Sequence, residues 1–313
     1  MGAFDPARSR MLRTSPAVPL PRFEPDVPAM KLPPFAYARP ASVSEAVALL
    51  AAHDGEAKAL AGGQSLVPML AFRLAAPSLL VDLGKVKELS RIGISDAGVT
   101  LGAMVRWRDI LADARLKSAH PLLVAAVGQV AHYQIRNRGT VGGSMAHADP
   151  AAELPGIAVT CEAAITAVGK TGARMIAAAD FFRAPLSTAL APDEIITEIR
   201  LPPWPAGRRF GFEEFARRRG DFALAGAAVF YDRDDGGNAR NVHIGAIGVG
   251  DRPLRLVGAE RALDGRAVDE SAIAAAVAAA RTDVDPPDDI HASGAYRRAL
   301  IGTMVERALR RAA

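Results

Sequence analysis

The stretch that decides the fold is Gly139-Thr140-Val141-Gly142-Gly143-Ser144-Met145-Ala146-His147-Ala148-Asp149-Pro150. It is too poor in bulky apolar side chains to build a core. It also holds Ser144, His147 and Asp149 close together. Three readings compete: a catalytic constellation, a cradle for a phosphate, or a plain turn. The catalytic reading is the weakest. Gly142-Gly143-Ser144-Met145-Ala146 falls one residue short of a nucleophile elbow. His147 and Asp149 also lie too near Ser144 in the chain for a triad, whose members come from separate loops. Paired glycines instead let backbone N–H groups approach an anion with no Cβ in the way, and Ser and Thr add donors.

A second stretch of the same make lies upstream, Ala61-Gly62-Gly63-Gln64-Ser65-Leu66. Two such loops suit a diphosphate gripped from both sides, although Gly-Gly pairs also serve as ordinary tight turns. Other nucleotide signatures fail. Gly169-Lys170-Thr171 resembles the end of a P-loop, but Ala164 stands where its upstream glycine belongs. Gly245-Ala246-Ile247-Gly248-Val249-Gly250 has the wrong glycine order for a dinucleotide turn. None of the 6 histidines pairs with another at metal-ligand spacing. Asp149 and Glu153 flank a helix start expected after Pro150. They are either an acidic first turn complementing the helix dipole or carboxylates accepting from a ligand.

Outward from these loops the chain alternates helices and strands. Ser42 and Glu45 make a capping box, with Val43, Ala46, Val47 and Leu50 on one helical face. Strands at 57–61 and 79–83 enclose the first glycine loop and a short helix, a βαβ-like unit. Further strands are expected at 99–101, 164–168 and 194–201, and helices at 106–116 and 121–130. Pro202, Pro203 and Pro205 mark a domain boundary. Strands at 223–231 and 241–248 flank the hairpin signal Asp234-Asp235-Gly236-Gly237-Asn238. Helices at 270–281 and 294–311 close the chain.

At 313 residues, 50% hydrophobic and 23% charged, the chain is expected to form two or three globular domains. A net charge of +4, without runs of like charge, offers no nucleic-acid or membrane patch. An aromatic content of 5% argues against a base-stacking groove. Cys161 is the only cysteine, which excludes an intrachain disulfide and a cysteine-ligated zinc or iron–sulfur site. The apolar runs are too short to span a bilayer. Residues 1–29 carry Pro6, Pro16, Pro19, Pro21, Pro25 and Pro28 without periodicity and are expected to be disordered or extended. Met30 opens better-behaved sequence and is a candidate natural start. Arg8, Arg10 and Arg13 precede no apolar run, so no secretory signal is expected.

Five segments in one order resemble a single family. They are Met30-Lys31-Leu32-Pro33-Pro34-Phe35, Ala61 to Pro68, Thr140 to Ser144 with Ala148-Asp149-Pro150, Arg219-Gly220-Asp221-Phe222-Ala223, and Ser293-Gly294-Ala295-Tyr296-Arg297. The chain resembles the FAD-binding (medium) subunit of molybdenum hydroxylases, the family of aerobic carbon monoxide dehydrogenase and xanthine dehydrogenase. The resemblance implies an α+β fold of the vanillyl-oxidase/para-cresol-methylhydroxylase type. Two α+β subdomains, about 30–85 and 86–206, would hold FAD between them. A C-terminal α+β domain, 207–313, would add a three-stranded antiparallel sheet.

The resemblance also implies roles for residues. Ala61, Gly62, Gly63, Gln64 and Ser65 would bind the FAD diphosphate through backbone amides, with Leu66 beside them. Thr140, Val141, Gly142, Gly143 and Ser144 would contact it from the other subdomain. Glu153 would contact FAD through its carboxylate, and Val130 and Ile195 would line the flavin pocket. Glu213 stands where some relatives carry a FAD-contacting lysine. No catalytic side chain and no metal ligand is implied. The expected partners are a large subunit holding the molybdenum cofactor and a small subunit holding [2Fe-2S] clusters, as a dimer of heterotrimers in the cytoplasm. Electrons would pass from the clusters through FAD to NAD, a quinone, another carrier or oxygen. The rivals are a stand-alone FAD-dependent oxidoreductase, which would need its own substrate pocket, and a binding module that has lost its flavin. Intact Gly62, Gly63, Gly142 and Gly143 oppose the second.

Overall fold

Leu79-Leu80-Val81 is apolar at three successive positions, the mark of a strand covered on both faces. In the computed structural model, which describes residues 32–313, the strand Leu79–Asp82 is the centre of a three-stranded parallel sheet. The strands Ala36–Ala38 and Ala57–Leu60 flank it, and Ala36 and Ala57 both lie opposite Leu79. The expectations for residues 1–29, and Met30-Lys31 of the first family segment, lie outside the described residues. The helix Val43–Ala51 covers the sheet with Ala46, Val47 and Leu50. Ser42 Oγ accepts from Glu45 N, while the Glu45 carboxylate accepts from Ala41 N, one residue earlier than in the usual capping box.

The second subdomain is built on a five-stranded antiparallel sheet. Its order is Ile92–Ser95, Gly98–Gly102, Ile195–Leu201, Ala164–Gly169, Gly172–Ala177. The strand Ile195–Leu201 thus returns late in the chain to take the centre. The sheet packs its buried Val99, Leu101, Ile165, Ala167, Ile199 and Leu201 into one core with helices Trp107–Ala112, Pro121–Val127, Val141–His147 and Glu153–Thr160. The helix expected at 106–116 stops at Ala112. The Asp113 carboxylate accepts from Arg115 N at 3.1 Å and from its guanidinium at 2.6 Å, closing a local turn that competes with the helix.

The C-terminal sheet has four strands where three were expected. Its order is Arg209–Phe215, Ala225–Arg233, Ala239–Ile247, Leu254–Arg255, all antiparallel. The fourth strand is two residues long and follows Pro253 directly, too short to show the alternation by which strands are recognised. Both faces of this sheet are buried. Phe212, Ala228, Phe230 and Ile247 join the core of the second subdomain. Val229, Tyr231, Ile244 and Ala246 join a core made by helices Val257–Leu263, Glu270–Thr282 and Gly294–Ala312. Arg208 fastens the junction. Its guanidinium lies 5.2 Å from the Trp204 ring centroid and 4.5 Å from that of Phe230, and it grips Asp232 with two bonds of 2.8 Å.

Candidate functional site

A cleft of about 1240 Å³ opens where the two glycine stretches meet, and all three parts of the chain line it. That volume exceeds the roughly 300–1,000 Å³ of an ordinary small-ligand pocket and suits a dinucleotide-sized occupant.

The first stretch behaves as a nest. The strand Ala57–Leu60 ends, Gly63 turns the backbone at φ +73°, and the helix Leu66–Ala71 begins. Only glycine adopts that conformation without strain. The N–H groups of Gly62, Gly63, Gln64 and Ser65 find no acceptor among the described residues. Four consecutive donors therefore stand at the cleft, and Ala61 and Leu66 line it beside them.

The second stretch is built differently from the expected loop. Thr140 is the N-cap of the helix Val141–His147, and its Oγ1 accepts from Gly143 N at 3.1 Å. Val141 N donates to Val105 O at 2.9 Å, Gly142 N to Ala103 O at 2.7 Å, and Ser144 N to Thr140 O at 3.0 Å. All four amides are thus satisfied within the protein. This segment lines the cleft with Thr140, Gly142, Gly143 and Ser144, and of these Ser144 carries a hydroxyl not used as the helix cap. Val141 is fully buried in the core and does not line the cleft. Gly142 is required by packing, because a Cβ there would fall 2.5 Å from that of Ala103. Thr140→Val keeps the shape and removes the cap; it should lower the unfolding free energy by about 1 kcal/mol, measured by urea denaturation.

The two stretches touch. Gly62 packs on the Arg138–Gly139 backbone so closely that a Cβ would penetrate the Arg138 carbonyl oxygen. Val130, Glu153 and Ile195 line the same cleft. Thirteen of the fourteen residues expected to contact the ligand therefore converge, all but Val141.

Carboxylates dominate the charge here. Burial, then the neighbouring Glu214 charge, pushes Glu153 up to about 8, with Asp149 adding to the rise. Burial pushes Glu214 up to about 7, and its Oε2 is buried with no hydrogen-bond partner among the described residues. Glu213 points the other way, to an ion pair with Arg311. It does not line the cleft, so it does not stand in for a ligand-contacting lysine. His147 lines the cleft with its pKa lowered by burial, hence neutral at pH 7. It makes no hydrogen bond to Ser144 or Asp149 among the described residues, and Asp149 instead accepts from Ala151 N. These three residues form no triad. The Cys161 thiol is buried and pushed up to about 12, which leaves it inert. No group of three or more metal-ligating side chains occurs among the described residues.

Sequence reasoning missed the C-terminal wall. Arg297, almost fully buried, donates from Nη1 to Leu224 O and Gly248 O, both at 2.8 Å, and from Nη2 to Asp289 at 2.6 Å. Arg217 and His291 meet at 3.2 Å. All six of these residues line the cleft. The segment 293–297 carried the resemblance, but nothing local marks Arg297 as a fastener of distant carbonyls.

Comparison with known proteins agrees with this geometry. Residues 33–204 match the family described as the FAD binding domain in molybdopterin dehydrogenase, and residues 210–312 the CO dehydrogenase flavoprotein C-terminal domain. The chain is 41% identical to the 6-hydroxypseudooxynicotine dehydrogenase complex subunit alpha of Paenarthrobacter nicotinovorans, covering 90% of this chain and 96% of that one. It is 37% identical to the carbon monoxide dehydrogenase medium chain of Hydrogenophaga pseudoflava, covering 88% and 96%. A solved carbon monoxide dehydrogenase from Hydrogenophaga pseudoflava superposes with a TM-score of 0.87 at 38% identity, over 90% of this chain and 98% of that chain. With four amides that lack an acceptor among the described residues at a dinucleotide-sized cleft, and relatives matched over nearly their whole length, the chain belongs to the family of FAD-binding medium subunits of molybdenum hydroxylases.

Proposed function

We propose that the chain binds FAD across the cleft and relays electrons through it within a molybdenum hydroxylase complex. The observation that carries this reading is the run of four amides at 62–65, without an acceptor among the described residues, at a cleft lined by both subdomains. When bound, FAD supplies the redox chemistry. The amides of Gly62, Gly63, Gln64 and Ser65 hold the diphosphate, and the Ser144 hydroxyl donates from across the cleft. Glu153 meets the ligand with a carboxyl oxygen, while Val130 and Ile195 supply apolar walls that exclude water. No side chain of this chain acts as general acid or base toward a substrate, because substrate is oxidised at the molybdenum cofactor of the large subunit. The electrons the chain would relay would come from [2Fe-2S] clusters of the small subunit and go to an external acceptor.

The domain division that fits this role is 30–206 for the FAD-binding part, split near 85, and 207–313 for the C-terminal part. The complex is a dimer of heterotrimers in the cytoplasm. No helix among the described residues is long and apolar enough to cross a membrane.

The test is the visible spectrum of the purified chain, before and after adding FAD. Flavin bands that bleach only when partner subunits and substrate are supplied are the expected result. Bleaching by a small substrate without partners would favour a stand-alone oxidoreductase, and no flavin uptake would overturn the reading.

A further inference from the structure

Glu153 and Glu214 come from different parts of the chain and are brought near one another around Ile247: Gly226, where a Cβ would press on Glu214, and Gly156, one turn along from Glu153, both pack on the Ile247 side chain. Glu153 opens the helix Glu153–Thr160 and lines the cleft. Glu214 stands on the strand Arg209–Phe215, opposite Gly226. Strand alternation puts Glu214 on the same face as Phe212, which packs into the second subdomain, and sends Glu213 to the opposite face and Arg311. Gly226 makes the room, since a Cβ there would sit 3.2 Å from Glu214 Cβ.

Among the described residues no cation bonds to either carboxylate: of the arginines lining the cleft, Arg217 meets His291, and Arg297 is engaged by Leu224 O, Gly248 O and Asp289. The charges bearing on Glu153 are those of Glu214 and Asp149, and burial alone acts on Glu214. The helix Val141–His147 contributes His147, kept neutral by burial. The helix Pro121–Val127, packed on the strand that carries Glu214, has no charged residue. From the strand Ala239–Ile247, His243 is engaged by Thr160 O and Asn241, and burial lowers its pKa. Arg311, from the last helix, is held by Glu213 on the far face. Two ionised carboxylates here would leave two like charges near one another in a buried setting, and Glu214 Oε2 without a donor among the described residues. One proton between them removes the repulsion and turns one carboxyl into a donor.

We infer that Glu153 and Glu214 hold a single proton between them at neutral pH, and that FAD binding draws a second proton onto the pair. This rests on FAD as the ligand of the cleft. Filling the cleft removes the water that still reaches Glu153 and adds an anionic diphosphate, and both favour the protonated form. The pair goes from one negative charge to none, the proton comes from solvent, and nothing is oxidised. The bound state holds more protons than the free state, so FAD affinity falls as pH rises.

The experiment is FAD titration of the flavin-free full chain by calorimetry, from about pH 6 to about pH 9, in buffers of different ionisation heat. Uptake of about one proton is expected from about pH 7 upward, with affinity falling about tenfold for each pH unit while that proton is taken up. Glu214→Gln should move the midpoint of this dependence to lower pH, because Glu153 then loses its negative neighbour. Replacing both residues, Glu153→Gln with Glu214→Gln, should abolish the dependence. Flat affinity without proton uptake, or an unmoved midpoint in Glu214→Gln, overturns the inference. Infrared difference titration of the flavin-free wild type needs no variant: a protonated carboxyl band must disappear between about pH 7 and pH 9, and its absence also overturns the pair. Failure of the FAD reading looks different, as no binding at any pH with the carboxyl band still titrating.

Discussion

Gly62→Ala should leave a chain that folds but no longer retains FAD. The added Cβ meets the Arg138 carbonyl oxygen, a backbone atom that cannot rotate out of the way. Gly139, the next residue, is itself fixed: its carbonyl accepts from Trp107 N and its N–H donates to Ile135 O at 2.7 Å. Either the two stretches separate or the nest turns its donors away from the cleft. Overpacking of this kind costs about 1–3 kcal/mol. Borne by the ligand-competent geometry, that is roughly a 5- to 140-fold loss of affinity. Gly143→Ala is the milder comparison, since its Cβ would meet a threonine hydroxyl at 2.8 Å and the Ala61 methyl at 3.6 Å. The flavin-to-protein absorbance ratio after gel filtration, followed by titration with FAD, checks both. Wild-type retention in Gly62→Ala would show that the contact between the stretches does not shape the site.

Arg297→Ala should cause the larger loss of stability. The guanidinium satisfies Leu224 O and Gly248 O from one nitrogen and Asp289 from another. Hydrogen bonds to a charged group contribute about 1.5–3 kcal/mol each. The Asp289 side chain is 43% exposed, so that ion pair contributes little of the total. The expected cost is about 3–5 kcal/mol, read as a lowered denaturation midpoint. Arg297→Lys keeps the charge but not the planar fork, and should recover only part of the loss. Leu224 and Gly248 line the cleft, so FAD retention should fall along with stability. A midpoint within experimental error of wild type would remove Arg297 from this role.

What could be read from the sequence was whatever depends on neighbours in the chain. The Ser42 cap, the hairpin at 234–238 and the glycine turn at 62–63 are local requirements, and each appears where its residues stand. The helix Val141–His147 was not legible. Gly142 and Gly143 are poor helix formers, and the segment is helical because Thr140 caps it and the Val105 and Ala103 carbonyls accept its first amides. The second glycine pair therefore resembles the first in letters and differs from it in use. One exposes donors, and the other lets a helix press against the sheet. The opposed directions of Glu213 and Glu214 follow from strand alternation, but which face looks at the cleft is set by the distant elements packed there. Arg297 was hidden for the same reason, its carbonyl partners lying 73 and 49 positions away.

The C-terminal sheet, buried on both faces, has a consequence for how the chain comes apart. Phe212, Phe230 and Ile247 are as much part of the second subdomain's interior as its own leucines. The proline-rich stretch before Gly207 is thus a seam in the sequence and not in the core. A chain severed there would expose an apolar face on each fragment, and neither would be expected to stay soluble alone. Because one core spans that seam, the cleft should be lost together with the sheet that walls it.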